Sequence, residues 1–103
     1  MDPRRLLELI EAGAPPAIID VRSAREYARG HVPGAVNIPF WRILAADIPA
    51  SPEQPVVVYC GHGPRASIAR GLLRRRGFRR VTSMAGHMVE WRATGLPEEP
   101  LRK

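Results

Sequence analysis

A chain of 103 residues, 45% of them hydrophobic, has the size and composition of one globular domain with a modest core, so a single domain over 1–103 is expected. One cysteine excludes an internal disulfide, and no apolar run approaches the roughly 18 residues of a membrane helix, so the cytoplasm is the expected location and no membrane role is expected. The formal net charge of +6 rests almost wholly on arginine, since Lys103 is the only lysine among 16 basic residues, and such a surface attracts anions, from small oxyanions to nucleic acid.

The N-terminal stretch "MDPRRLLELIEAG" lacks the features of a signal peptide and has the pattern of an amphipathic helix. Pro3 suits its first turn, Leu6, Leu7, Leu9 and Ile10 form its apolar face, and Gly13 with Pro15-Pro16 ends it. "AIID" (17–20) is a short buried strand, and "SAREYARG" (23–30) is a helix with the capping-box spacing of Ser23 and Glu26, ending at Gly30. A turn at Pro33-Gly34 leads to a short strand over 35–38, closed by Pro39, and "WRILAADI" has a short helical pattern. Residues 49–55 read as a loop. "VVVY" (56–59) is the clearest strand, and its unbroken apolar run predicts cover on both faces, as in a central parallel strand. A helix over 64–76 should face inward with Ile68, Ala69, Leu72 and Leu73; a strand over 81–84 and a helix over 86–95 presenting Met88, Val89 and Trp91 complete the chain. Alternating strands and helices predict an α/β sandwich on a parallel sheet.

The only cysteine, Cys60, directly follows the central strand, at the end of a parallel sheet where active sites gather. Gly61 and Gly63 free the backbone so that successive N–H groups can converge near the sulfur, and Pro64 starts the next helix with its positive end toward the loop. Arg65 adds a full cation. Each feature favours negative charge on the sulfur, which makes the loop an anion cradle around a nucleophile. The alternative is an inert, buried small hydrophobe. On these residues alone the chemistry is that of a thiolate enzyme acting on an oxyanion.

Asp20 and Arg22 close the first strand and are expected to form an ion pair that organises the loops beside the site, with substrate contact as the alternative. Glu26 reads as helix surface or cap, and His31 as a structural histidine fixing its turn. His62 lies inside the cradle, where its imidazole could touch a donor or tune the sulfur. The three histidines and Cys60 match no common zinc spacing, so no metal is expected. Arg70, Arg74 and Arg75 lie on the outward side of a helix without interleaved aromatics, an ordinary solvated face and not a nucleic-acid surface. Trp41 and Trp91 read as core or rim packing, with Trp41 a candidate for the pocket wall.

Three stretches in order along the chain, "IIDVRSAREYARGHVPGAVNIP" (18–39), "VVVYCGHGPRA" (56–66) and "SMAGHMVEWRATGLP" (83–97), resemble the signatures of the rhodanese-like domain family, the second its C-x-x-G-x-R active-site loop. The resemblance implies a three-layer sandwich with a central parallel sheet of four to five short strands flanked by helices. It also implies a sulfurtransferase without cofactor, in which Cys60 takes a sulfane sulfur from a small anionic donor such as thiosulfate and passes it to a thiol or to cyanide. Carried over by position, Gly61, His62, Gly63 and Pro64 with Arg65 form the cradle of the persulfide, and Arg65 also holds the donor. Phosphatases and arsenate reductases of the same fold carry a longer loop between cysteine and arginine, which argues against that activity. A low-turnover sulfur carrier or partner-binding module remains the other reading, and the oligomeric state is left open. Two departures from the family pattern stand out. The usual Gly-Gly pair reads Gly86-His87, so the backbone differs there or His87 faces the mouth of the site. The short strand that often precedes the first helix has only Met1 and Asp2 to form it.

Overall fold

The two strands expected from continuous apolar runs lie side by side at the centre of the sheet. The computed structural model describes residues 1–100. Its elements are α1 (Pro3–Glu11), β1 (Ala17–Asp20), α2 (Ala24–Arg29), β2 (Val36–Asn37), a 3-10 turn (Phe40–Arg42), β3 (Val56–Tyr59), α3 (Pro64–Arg75), β4 (Val81–Ser83) and α4 (His87–Ala93). All strand pairs are parallel, in the order β2-β1-β3-β4. The register runs from Ala17 opposite Val56 to Asp20 opposite Tyr59, which brings the carboxyl ends of β1 and β3 level.

Alternation along β3 divides the core. Val56, Val58 and Cys60 face one layer with Ala66, Ala69 and Leu73 of α3 and Ile43 beyond the 3-10 turn. Val57 and Tyr59 face the other, with Leu6 of α1, Met88 and Trp91 of α4, and Tyr27 of α2 against its margin. Burying each large apolar side chain of these layers contributes about 1.5–3 kcal/mol. The sheet thus lies between two layers, as the family resemblance implied.

Helix starts follow the sequence closely. Asp2 caps α1 by accepting the Arg4 N–H, and Ser23 and Glu26 form a complete capping box on α2. Helix faces depart from it in two places. Ile68 is 50% exposed, because α3 meets the sheet along Ala66, Ala69 and Leu73, and residue 68 lies about a quarter-turn off that stripe. Val89 is 61% exposed for the same reason, Met88 and Trp91 forming the inward stripe of α4. The segment after Pro39 makes only a 3-10 turn, held from below by Arg76, whose Nη1 donates to the carbonyls of Ile43 and Ala46. Trp41 is largely exposed, edge-on to Phe40, whereas Trp91 is fully buried and donates from Nε1 to the Pro97 carbonyl. Arg74 and Arg75 point to solvent, and Arg70 is half-buried. Met1 stands where a first edge strand would lie. Its amino group donates to the Ser83 carbonyl and its own carbonyl accepts the Ala85 N–H.

Candidate active site

The floor of the site is a buried polar network at the ends of β1 and β3. Asp20 accepts from the Arg22 backbone N–H at 2.9 Å, from its Nη2 at 2.7 Å, from its Nε, and from the Tyr59 hydroxyl at 2.8 Å. Arg22 is 2% exposed and gives a further bond to the Gly30 carbonyl, tying the end of α2 to β1. The Tyr59 oxygen in turn accepts the Val32 N–H, and burial followed by the nearby Asp20 charge pushes its ionisation well above the usual tyrosine range. Asp20 and Arg22 thus bond to each other, to Gly30 and to Tyr59, the residue that precedes Cys60.

Cys60 leaves β3 directly above this network, and its surroundings take over its backbone. The Cys60 and Gly61 carbonyls accept the N–H groups of Met88 and Val89 in the first turn of α4, and the Cys60 N–H is given to Nδ1 of His87 at 3.2 Å. Both carbonyls are thus turned toward α4. The Gly63 N–H lies 3.0 Å from Sγ. The N–H groups of Gly61, His62, Arg65 and Ala66 find no acceptor among the described residues, and Gly63 caps α3 with no side-chain partner. Pro64 opens that helix, as its missing N–H allows. Gly63 has φ +138°, a conformation that side-chain-bearing residues rarely adopt, so this turn requires glycine. Cys60 is fully covered, whereas His62 and Pro64 of the loop are exposed.

Arg65 crosses the loop, its Nη2 3.3 Å from where a side chain on Gly61 would begin. It is held from the far side by Glu26, whose carboxylate takes Nη1 at 2.6 Å and Nη2 at 3.0 Å in a two-pronged pair. Glu26 is thus part of the site, which its position in the chain does not reveal. The Ser23 spacing accounts for its capping role, but the ion pair joins residues 39 apart in the chain. The Arg65 hydrogen bonds first, then those from Ser23, hold the Glu26 carboxyl well below its usual 4.5, at about 2. Because the folded value is the lower one, this contribution to stability is complete above pH 4.5 and is lost as pH falls toward 2. Acid unfolding should therefore lose less stability between those limits in Glu26→Gln than in wild type. The difference should be under about 1 kcal/mol, since Glu26 is 37% exposed and the pair is screened. Circular dichroism against pH measures it; parallel acid curves would remove Glu26 from the account.

His31 is buried, stacks on Tyr27 at 3.7 Å and donates from Nδ1 to the Tyr27 carbonyl, which fixes its turn. His62 is exposed and makes no hydrogen bond among the described residues. At position 87 the backbone is left-handed, at φ +53°, the conformation a glycine would take, and Nδ1 of the ring accepts the Cys60 N–H. Among the described residues no helix is long and apolar enough to cross a membrane.

The comparisons agree with this architecture. A family model described as Rhodanese-like domain matches residues 2–94. Thiosulfate sulfurtransferase GlpE of Pseudomonas savastanoi pv. phaseolicola is 33% identical over 97% of this chain and 92% of its own length. The putative sulfur carrier protein YrkF of Bacillus subtilis is 30% identical over 79% of this chain, which spans only 43% of that relative. Human single-domain sulfurtransferase TSTD1 superposes with a TM-score of 0.79 at 28% identity, covering 90% of this chain and 94% of its own. With a parallel sheet between helical layers, a cysteine loop at its carboxyl edge and a match spanning residues 2–94, the chain belongs to the rhodanese-like domain family.

Proposed function

We propose that the chain is a sulfurtransferase that works through a persulfide on Cys60. The observation that carries the reading is the loop itself: the Gly63 N–H already rests on Sγ, and four further N–H groups of the loop and the start of α3 lack acceptors among the described residues. Such a cradle stabilises a sulfur anion before reaction and the longer persulfide anion after it. Cys60 is the nucleophile, Gly61 to Pro64 form the cradle, and Arg65 draws in the anionic donor while Glu26 keeps it in place. Asp20 and Arg22 support the loop through Tyr59.

The cysteine thiolate attacks the outer sulfur of thiosulfate or a related sulfane donor. The donor's S–S bond breaks, and sulfite or its equivalent leaves with the electron pair. In the second half an acceptor thiolate, or cyanide, attacks the terminal sulfur and the cysteine thiolate departs. Because Cys60 is fully covered at rest, each reactant reaches Sγ only when the loop around it opens. The names of the relatives support this class of reaction, and the loop, shorter than that of the phosphatases, supports it over phosphate chemistry. With one cysteine in the chain, no internal thiol takes the sulfur on, so the acceptor is external, a small thiol or a partner protein. A thiol acceptor fits work in a reducing cytoplasm. A carrier of low turnover would use the same persulfide, and the sulfur-carrier relative favours keeping that second reading.

Intact-protein mass spectrometry after incubation with thiosulfate is expected to show the gain of one sulfur atom, lost on adding cyanide and located by peptide mapping on Cys60. If thiosulfate, glutathione persulfide and mercaptopyruvate all leave the mass unchanged, sulfur transfer is not the function.

A further inference from the structure

His87 pairs an unusual backbone with an unusual contact. Both Gly86, at φ +71°, and His87, at +53°, lie in the left-handed region, and among the described residues His87 is the only non-glycine that does so. A glycine would adopt this conformation freely, whereas a histidine adopts it at a cost that some interaction must offset. The ring supplies one. Its Nδ1 faces the Cys60 N–H at 3.2 Å, and because an amide can only donate, Nδ1 is the bare nitrogen and the neutral ring carries its proton on Nε2. Nε2 lies 3.7 Å from the point where a side chain on Gly63 would begin, so the ring spans from the first residue of the loop to the residue that donates to Sγ.

We propose that His87 is a positioning residue that holds the Cys60 loop in its cradle form while the ring is neutral and releases it when Nδ1 takes a proton. A protonated ring presents N–H on both nitrogens, so Nδ1 would meet the Cys60 N–H donor to donor and the contact would be lost. Sulfur chemistry at Cys60 then becomes sensitive to acid through a group that never touches the reacting atoms. Burial first, then the neighbouring His62 and the Met1 amino group, hold the ring's ionisation below the usual 6.5. The contact is therefore intact at neutrality and persists somewhat below pH 6.5, failing only at the more acid pH at which the ring takes its proton. Asp2 and Arg4 at the start of α1 and Glu90 on the helix of His87 line the groove beside the neighbouring Gly86, and Arg65, beside Gly61, is already paired with Glu26.

The first test does not depend on the sulfur-transfer reading. In ring-labelled protein, nuclear magnetic resonance should find His87 with Nδ1 bare at neutral pH, and the Cys60 amide should move with the His87 titration in wild type and in His62→Gln. The same amide should be flat with pH in His87→Gly, a variant suited to the left-handed backbone. A Cys60 amide that ignores pH in wild type, or a proton found on Nδ1, overturns the proposal. The second test uses the reaction. Persulfide formation in wild type should exceed that in His87→Gly about tenfold at neutral pH, as the loss of a supporting contact commonly costs, and the ratio should approach one as His87 protonates. A ratio constant across pH shows a structural residue only and overturns the proposal. Failure of both wild type and His87→Gly to form persulfide, while the wild-type Cys60 amide still titrates with His87, would count against the sulfur chemistry and leave the proposal standing.

Discussion

Cys60→Ser is expected to abolish sulfur transfer, lowering turnover by about 10³-fold or more, because no other residue can form the covalent intermediate. Serine keeps the shape and an acceptor for the Gly63 N–H that now rests on Sγ. The fold should therefore survive at a cost of about 1 kcal/mol, the worth of one altered buried hydrogen bond. The two readouts separate the explanations. Lost turnover with a retained melting curve identifies the thiolate as the reacting group, whereas lost turnover with lost structure would report only a broken core, since Cys60 packs with Val58, Ala66 and Ala69. Substantial activity in a folded serine variant would refute the persulfide mechanism outright. Steady-state assays with thiosulfate and cyanide, run beside thermal melts, decide among these.

The largest effect on stability is expected from Asp20→Ala. That change leaves the Arg22 guanidinium buried with the Gly30 carbonyl as its remaining acceptor, and it removes the acceptor of the Tyr59 hydroxyl. Breaking one partner of a buried pair costs about 3–5 kcal/mol. Against the about 5–15 kcal/mol of a whole domain this is a large fraction, and each kcal/mol lowers the melting temperature of a domain this size by about 4–8 °C. Urea denaturation should show a much lower midpoint with an unchanged slope. The double variant Asp20→Ala/Arg22→Met should recover part of the loss, because no unpaired charge is left inside. A cost under about 1 kcal/mol for the single change would mean that the pair is not held in the interior as described.

What the sequence reveals of this molecule follows the range of the interactions. The four residues "VVVY" announce a central strand because burial on both faces leaves no polar position, and β3 is buried at every residue. Ser23 and Glu26 announce the start of α2 because a capping box is closed within one turn. Ile68 and Val89 mislead because the apolar character of a residue in a short helix does not fix which stripe meets the sheet. In α3 the small residues Ala66 and Ala69 take that stripe. The cradle is legible from glycine, proline and arginine at fixed spacing, since backbone conformation is local. The partners that hold it are not, because Glu26 reaches Arg65 across 39 residues and His87 reaches Cys60 across 27. A broken family pattern at position 87 marks the place, but only the fold shows the ring turned back on the loop.

The arrangement of the strands also bears on how the protein behaves in crowded solution. An edge strand with free N–H and C=O groups invites pairing with another copy, and a flat apolar strand in that position seeds aggregation. Here the wholly apolar β3 lies inside the order β2-β1-β3-β4 and never at a margin. One margin is β2, only two residues long, and the other is β4, three residues long with Met1 already bonded at Ser83 and Ala85. Neither margin offers a stretch long enough to recruit a neighbour strand by strand. The segment with the highest tendency to self-associate is thus sequestered for as long as the sheet stays closed, and it becomes available only to a chain that has lost its fold.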